Sequence, residues 1–465
     1  MDRNAHSRRQ QRARRIERRT SSVKAVELFN VLTSAELLET TEALMPAHRE
    51  RLYPPTVTLS MFMQQALAAD GSCQNAVNGW AAQRVADGLG AMSVRTGAYC
   101  RARQRLPQSM VQALGRQSGR LLSERAPRPW RWRGRAVKLV DGTGLSMPDT
   151  EQNQAVYPQP DSQATGVGFP LTCMVMVICL ATGAVLDAAN GPYSGKGSGE
   201  LGLFRSLQAA LQPGDLVLAD ALYCNYLLIA ALLAGGVDVL FEQHGSRRTD
   251  FRRGRSLGSR DHVVRWPRPA RPAWMTREQY TAFAEEIELR EARVHHQVLV
   301  TTLRNPRQID KQELSKLYGR RWNVELDLRS LKTTMGMETL HCQTPEMNEK
   351  ELWVHLLAYN LIRLLMAQAA SMAGVDPRKL SYKHTCQLWN SWRTHGLSLS
   401  ADASRLFVLI AQVPVGHRPG RIEPRMRKRR PKSYPWLKQP RSVARDRVRI
   451  HGHPKRGGQS KRHSP

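Results

Sequence analysis

The chain has no run of about 18 apolar residues, the length a helix needs to cross a bilayer, so no membrane span is expected. The N-terminus, MDRNAHSRRQ, has none of the apolar core of a signal peptide, so export by that route is not expected either. No C-x-x-C pair occurs, and the seven cysteines (Cys73, Cys100, Cys173, Cys179, Cys224, Cys342, Cys386) are scattered. That excludes a zinc site or a disulfide framework of recognisable spacing and suits a reducing compartment. Internal repeats are also missing. What the sequence has least of, relative to its opposite, is acid. Seventy Lys and Arg stand against 39 Asp and Glu, a formal charge of +31.

Such a chain collects on polyanions, because neutralising phosphates releases condensed counterions. Arginine dominates, and its planar guanidinium fits phosphate and guanine edges in pairs. Solvated basic tails are the bland reading of the same excess. A hydrophobic fraction of 41% and mean hydropathy of −0.47 describe an ordinary globular protein with room for more than one domain.

The grammar changes along the chain. Residues 1–23 hold Arg3, Arg8, Arg9, Arg12, Arg14, Arg15, Arg18 and Arg19 with few apolar neighbours, an arm that is disordered or orders on DNA. Residues 24–125 read as a small helical DNA-binding domain of its own, and APRPWRWRGRA as a linker. From Ala136 to residue 243 the order is strand, hairpin, helix, strand, helix, strand, with the hairpin turning at Thr182-Gly183. That order describes a mixed sheet flanked by helices. Residues 244–307 break the rhythm with an Arg- and Pro-rich stretch containing the strands EIELREARV and HHQVLVTTL, which predicts an inserted β subdomain. Helices resume over 308–373 and continue over 374–413, and 414–465 reads as a disordered basic tail.

Against this basic background three acids stand out. Asp141 in KLVDGTG and Asp220 in VLAD each close a predicted strand, where ligand sites gather in a helix-flanked sheet. An Asp after a strand also simply starts a turn. The third, Glu325, lies in DKQELSKLYGRRWNVELDLRSLK, which reads as one helix capped by Asp310 and Glu313. At ~100° per residue, with Tyr318 at zero, Arg321 falls at about −60°, Glu325 at about −20° and Lys332 at about −40°. Leu317, Val324, Leu328 and Leu331 occupy the adjoining stripe. The helix can therefore bury its leucines on the sheet while a Tyr-Arg-Glu-Lys row faces the strand ends. A surface Arg321–Glu325 pair alone would explain neither Tyr318 nor Lys332. Carboxylates converging in a basic protein suit divalent cations: Mg2+ takes oxygen ligands and shares them with substrate phosphate. Two ions about 4 Å apart can activate a water and stabilise a leaving oxygen in an in-line displacement. Tyr318, Arg321 and Lys332 would grip the phosphate beside the scissile bond.

The spacing Tyr318, Arg321, Glu325, Lys332 matches the Y-x2-R-x3-E-x6-K signature of DDE transposases of the insertion-sequence-four family, and KLVDGTG and VLAD resemble the settings of its first two acids. The likeness runs from GSCQNAV and TGAYCRARQRLP to about Met366. One position departs from the pattern: Ala221 stands where many relatives carry a basic residue. The resemblance implies an RNase H-like α/β core with a β-strand insertion before the last acid, and Asp141, Asp220 and Glu325 holding two Mg2+ ions (Mn2+ being able to substitute). It implies a homodimer that binds double-stranded DNA at the inverted-repeat ends of its own element and joins them to target DNA. The cut would proceed by hydrolysis, hairpin formation and strand transfer, in a bacterial cytoplasm at the nucleoid. Relatives stack an aromatic residue of the insertion on a flipped base, for which Trp266, Trp274 and Trp322 are the candidates, although ordinary packing would account for each. A catalytically silent DNA-binding protein on the same scaffold is the alternative of a different class. A general packaging protein would fit the charge and leave the carboxylates unexplained.

Overall fold

The computed structural model describes residues 40, 43–46, 52–193, 199–394, 399–415 and 437–452. The arginine-rich arm expected at 1–23 lies outside the described residues. Chain order is α1 (Pro55–Leu67), α2 (Cys73–Ala86), α3 (Gly97–Arg105), α4 (Gln108–Glu124), β1 (Val137–Ser146), α5 (Glu151–Val156), β2 (Leu171–Cys179), β3 (Val185–Pro192), α6 (Glu200–Ser206), β4 (Leu216–Ala219), α7 (Tyr226–Ala234) and β5 (Asp238–Glu242). Then follow β6 (Arg255–Gly258), β7 (Asp261–Pro267), α8 (Arg277–Thr281), β8 (Glu286–Val294), β9 (Gln297–Thr301), α9 (Lys311–Gly319), α10 (Asn323–Arg329), α11 (Pro345–Ala373), α12 (Tyr382–Thr394), α13 (Leu399–Gln412) and α14 (Arg441–His451).

The strands form one sheet in the order β3-β2-β1-β4-β5-β9-β8-β7-β6. β3, β2 and β1 are antiparallel neighbours, whereas β1, β4 and β5 run parallel. This five-strand arrangement has the mixed order expected of an RNase H-like core. Helices cover both of its faces, so LTCMVMVIC in β2 is apolar apart from Thr172 instead of alternating, and all but its first residue are buried. The hairpin between β2 and β3 turns at Gly183, whose φ of 81° an L side chain rarely adopts. One apolar layer packs α1, α4, α9, α10 and α11 on the sheet; the other packs α6 and α7.

Several expectations are corrected here. The N-terminal helices are not a domain of their own: Leu59 and Phe62 of α1 and Met110, Val111 and Leu114 of α4 share the main core with α11. The reason is α11 itself, which is buried around most of its circumference and needs partners on every side. An 18-residue window of α11 has a mean hydropathy of 1.3, enough by length and composition to cross a membrane, yet 83% of it is buried within the fold. The expected linker at Ala126 to Ala136 is folded, with a 3-10 turn at Arg128–Trp130 and Trp130 and Trp132 packed on the core. The insertion is not a separate subdomain either. β9 pairs antiparallel with the edge of β5, and β8, β7 and β6 extend the same sheet. That pairing satisfies backbone groups which an open β5 edge would leave unpaired. Within the tail expected at 414–465, Arg441–His451 is helical; it holds no Gly or Pro and lies between Pro440 and Gly452. The rest of that tail, 416–436 and 453–465, lies outside the described residues.

One close approach locks α4 to the sheet. A Cβ at Gly119 would fall inside the carbonyl of Val185 on β3 and 3.1 Å from Nδ2 of Asn360. Asn360 closes the same β3 edge: its Oδ1 accepts from Val185 N at 2.8 Å, and its Nδ2 donates to Val185 O at 2.9 Å. The obstacle is backbone and cannot rotate away. Gly119→Ala is therefore expected to destabilise the fold by about 1–3 kcal/mol, the range for overpacking a tight site. An unchanged thermal midpoint would refute this contact.

Candidate active site

The two aspartates meet because of strand register. β1 and β4 pair in parallel up to Leu139↔Leu218, and carrying that offset two residues further sets Asp141 opposite Asp220. Side chains repeat every second residue on a strand, so both acids continue the face of Leu139 and Leu218, the face that carries α9, α10 and α11. β4 ends at Ala219, and Asp220 caps the following 3-10 turn, its Oδ1 accepting from Leu222 N at 2.9 Å. β1 does not end where the sequence suggested. It runs on to Ser146 paired with β2, so Asp141 lies mid-strand, just past its last pairing with β4. The strand end that matters is that of the neighbour. β4 and β5 keep the pattern, with Ala219↔Phe241, so Glu242 continues the row of acids by one strand.

The helix bearing the third acid is not continuous. α9 tightens into a 3-10 turn at Arg320–Trp322, α10 follows, and Ser330–Thr334 widens into a π turn. The apolar stripe survives these changes: Leu317, Val324, Leu328 and Leu331 are all buried in the main core. So does most of the polar row. Arg321 spans the site, with Nη1 3.9 Å from Asp141 Oδ2 and Nη2 3.5 Å from Glu325 Oε1. Tyr318 donates to Glu242 Oε2 at 3.3 Å. Burial pushes the Tyr318 hydroxyl up, and nearby Arg321 opposes this while Glu242 and Asp220 add to it. Lys332 departs from the row. Its Nζ donates to Gly144 O of β1 at 3.1 Å and lies 3.9 Å from Glu338 Oε1, because the π turn at Ser330–Thr334 carries it to the side of β1.

Asp141 is raised from the ordinary carboxylate range to about 6. Burial is the largest cause; the Gly142 N–H and Arg321 oppose it, and the charges of Asp220 and Glu200 add to it. Glu200 was not anticipated from the sequence, nor was Glu242. Glu242 had a readable signal, an acid closing the strand VDVLFEQ as Asp220 closes its own. Glu200 had none, because it reaches the site only through packing.

The carboxylates are all-oxygen donors of the kind that hold a hard divalent cation. Among the described residues no three His, Cys, Asp or Glu side chains already stand close enough to share one ion. Arg321 lies between Asp141 and Glu325 instead.

The aromatic candidates separate. Trp266 is excluded as a stacking platform, being an inward residue of β7. It is 4% exposed, its Nε1 donates to Glu291 Oε1 at 2.7 Å, and the Arg247 guanidinium lies 3.8 Å from its ring centroid. Trp274 is 53% exposed, with the Arg205 guanidinium 3.8 Å from its ring centroid. Trp322 is 56% exposed and adjoins Arg321 in the chain.

The family model described as "Transposase DDE domain" matches residues 132–361, the span from just before β1, which carries Asp141, to beyond Glu325. The chain is thus similar to DDE transposases of the insertion-sequence-four family over about half of its length. It is 29% identical over 310 residues to transposase InsG of insertion sequence element IS4 from Escherichia coli strain K12, and the match covers 63% of this chain and 66% of that protein. In three dimensions it is similar to a piggyBac transposase in a synaptic complex with hairpin DNA, with a TM-score of 0.41 and 11% identity over 85% of this chain and 86% of that one.

Proposed function

We propose that this chain is an active transposase that cuts DNA at the inverted-repeat ends of its own element and joins them to a target. The observation that carries the reading is the shared register of Asp141 and Asp220, with Arg321 reaching from Asp141 to Glu325 on the facing helix. Asp141, Asp220 and Glu325 are the residues to hold divalent cations, Mg2+ or Mn2+. When bound, such ions lower the pKa of a water and neutralise charge on the phosphate.

The chain's own groups do the rest. In metal-free protein Arg321 balances the charge of Asp141 and Glu325. With substrate present its guanidinium turns to the non-bridging phosphate oxygens, where a fork of donors binds best. Lys332, anchored on Gly144 O, lies along β1 on the approach to Asp141 and adds a second positive charge. Tyr318 is aimed by Glu242. In the first step water attacks the phosphorus, the bond to the 3′ oxygen breaks, and a free 3′-OH and a 5′ phosphate result. That 3′-OH then attacks the opposite strand, displacing its 3′ oxygen and closing a hairpin. A second water reopens it, and the 3′-OH ends attack target DNA. Trp322 is the exposed aromatic beside this row and the candidate to stack on a flipped base. A homodimer brings two ends together, and the basic N-terminal and C-terminal segments hold DNA by counterion release.

The test is cleavage of a labelled repeat-end duplex by the full chain with Mg2+. Specific nicking supports the reading. Binding of the ends without any cleavage in Mg2+ or Mn2+ would replace it with the silent DNA-binding protein.

The raised Asp141 gives a pH dependence. A carboxyl whose folded pKa lies above its unfolded value favours folding at low pH, and that contribution is lost as pH rises to the folded value. Metal-free protein is therefore expected to lose stability between pH 4 and about 6, and Asp141→Asn to flatten that slope. Cation binding runs the other way, since it needs the ionised carboxylate and so weakens below about pH 6. Melting curves from pH 4 to 7, with and without Mn2+, would show both. An Asp141→Asn profile parallel to that of the wild type would overturn the assignment.

A further inference from the structure

The end of the sheet remote from the carboxylates carries a cleft that the chemistry above does not use. β1, β4 and β5 run parallel, so Asp141 and Asp220 lie toward one end of them and the residues that precede β1 lie at the other. There Trp132 opens a tight turn that closes by a bridge to Arg135, and its two central residues, Arg133 and Gly134, have φ of 51° and 79°. Glycine adopts this left-handed conformation freely and arginine only at a cost, which persists where the surroundings fix the backbone. Here ion pairs fix it: Arg133 Nε lies 2.5 Å from Glu313 Oε1, and Arg135 Nη2 lies 2.7 Å from Asp238 Oδ2. They hold the turn, and Trp132 with it, between α9 and the start of β5.

Trp132 is half-buried and lines two cavities. In the larger, of about 570 Å3, every arginine is already paired, Arg133 and Arg135 as above and Arg304 with Glu288. The smaller, of about 430 Å3, differs. It runs along the side of α9 turned away from Tyr318, with Lys316 and Arg320 at ~160° and ~200° from that residue at ~100° per residue. Its two acids are engaged, Asp310 by the Glu313 N–H and Glu313 by Arg133. Its two cations are not. Among the described residues neither Lys316 nor Arg320 has a hydrogen-bond or ion-pair partner for its side chain, and the Trp132 indole N–H has no acceptor. Burial pulls the Arg320 guanidinium below its ordinary value; Asp376 opposes this and Arg378 adds to it. A half-buried cation left unpaired is costly, and a bound anion removes that cost. The volume falls within the range of small-molecule sites, about 300–1,000 Å3.

We propose that this cleft is a second nucleic-acid site, one that takes a single unpaired nucleotide: Lys316 and Arg320 hold its phosphate and Trp132 stacks on its base. An anion alone would leave the indole without a purpose, whereas a phosphate ester carrying a flat ring engages all three groups. The base is unpaired because one inside a duplex presents no free face. A free nucleotide and a unit of a single strand share this chemistry. The site shares no residue with the carboxylates, so it stands whether or not the chain cleaves DNA.

The full chain would be irradiated with the deoxynucleoside monophosphate of iodouracil, and separately with a single-stranded oligothymidylate carrying one iodouracil, and the crosslinked residue mapped by mass spectrometry. An adduct at Trp132 is expected. Its formation with the mononucleotide would show that a free nucleotide suffices, and its formation with the strand alone would show that neighbouring phosphates are required; both support the site. Lys316→Gln and Arg320→Gln are each expected to lower the Trp132 adduct about tenfold at sub-saturating probe, the loss of one charge-assisted contact, with melting unchanged. Trp132 itself packs on the main core, so it stays in place and the two cations carry the test. Thymidine monophosphate should displace the probe at least tenfold better than inorganic phosphate, and equal displacement would overturn the stacking role of Trp132. Adducts confined to other residues, or an adduct at Trp132 that survives both substitutions, would overturn the site.

Discussion

Asp141→Asn is expected to lower Mg2+-dependent cleavage of repeat-end DNA by roughly a thousandfold, about 4 kcal/mol of transition-state stabilisation, while leaving affinity for that DNA within a factor of about two. The substitution keeps the shape and removes the charge that holds a cation. It also releases Arg321, whose Nη1 lies 3.9 Å from Asp141 Oδ2. Affinity survives because binding draws on a formal charge of +31 spread over the whole chain, and phosphate contacts far from the site supply most of it. Glu325→Gln should match it in cleavage for the same reason, being the other carboxylate that Arg321 touches. The two measurements separate the functions: gel-shift titration reads the surface, and strand cleavage reads the carboxylates. If Asp141→Asn cleaves at the wild-type rate with Mg2+, the assignment of the site is wrong. If it loses end binding as completely as cleavage, Asp141 is holding the fold or the DNA and not a cation.

The largest expected effect on stability belongs to Asp327, two residues beyond Glu325 on α10. Its carboxylate is fully buried, and it accepts hydrogen bonds from Arg363 of α11, from Tyr359 at 3.1 Å, and from Arg378 at 2.6 and 2.7 Å. Arg378 also ties the group to the sheet, donating to the carbonyls of Leu180 and Cys179 at 2.8 and 2.9 Å. One anion thus bridges two guanidinium groups at the junction of α10, the core helix α11 and the β2–β3 turn. Removing one partner of a buried ion pair is far more damaging than the pair is stabilising, because it leaves charge buried and uncompensated. Asp327→Ala is expected to destabilise the protein by about 3–5 kcal/mol, and Asp327→Asn by somewhat less, since an amide still accepts from one donor. Urea denaturation followed by circular dichroism is the direct measurement. A midpoint unchanged in both variants would mean the network carries no net stability. Because Asp327 and Glu325 share α10, stable but slow Asp327 variants would show that the network also aims the third acid.

Glu325 was legible because helical periodicity is local. Tyr318, Arg321 and Glu325 can be placed on one stripe by counting, and the 3-10 and π turns left the buried leucine stripe in place. Trp266 shows where counting fails. An exposed and a buried tryptophan read alike in a strand, and only the partners of this one, Glu291 and Arg247, reveal that its ring is enclosed. The same limit hid the sharing of one core by α1, α4 and α11, since a helix pattern states which face is apolar and not which neighbour will cover it. A truncation before Ala136, attractive as a test of DNA recognition, would strip α4 from that core and test folding instead.

The sequence by itself determined the strands, the acids that follow them, the polar row on the facing helix and the family the chain resembles, because each is written in residues near one another. Only the tertiary structure decided that β1 and β4 align in a register that sets Asp141 against Asp220, and that the insertion extends the same sheet. It alone decided, too, that Glu200 on the opposite face lies against Gly142, where a Cβ would overlap its carboxyl group. Strand register and the two faces of a sheet are fixed by burial across the whole core, a property that no local stretch of sequence carries.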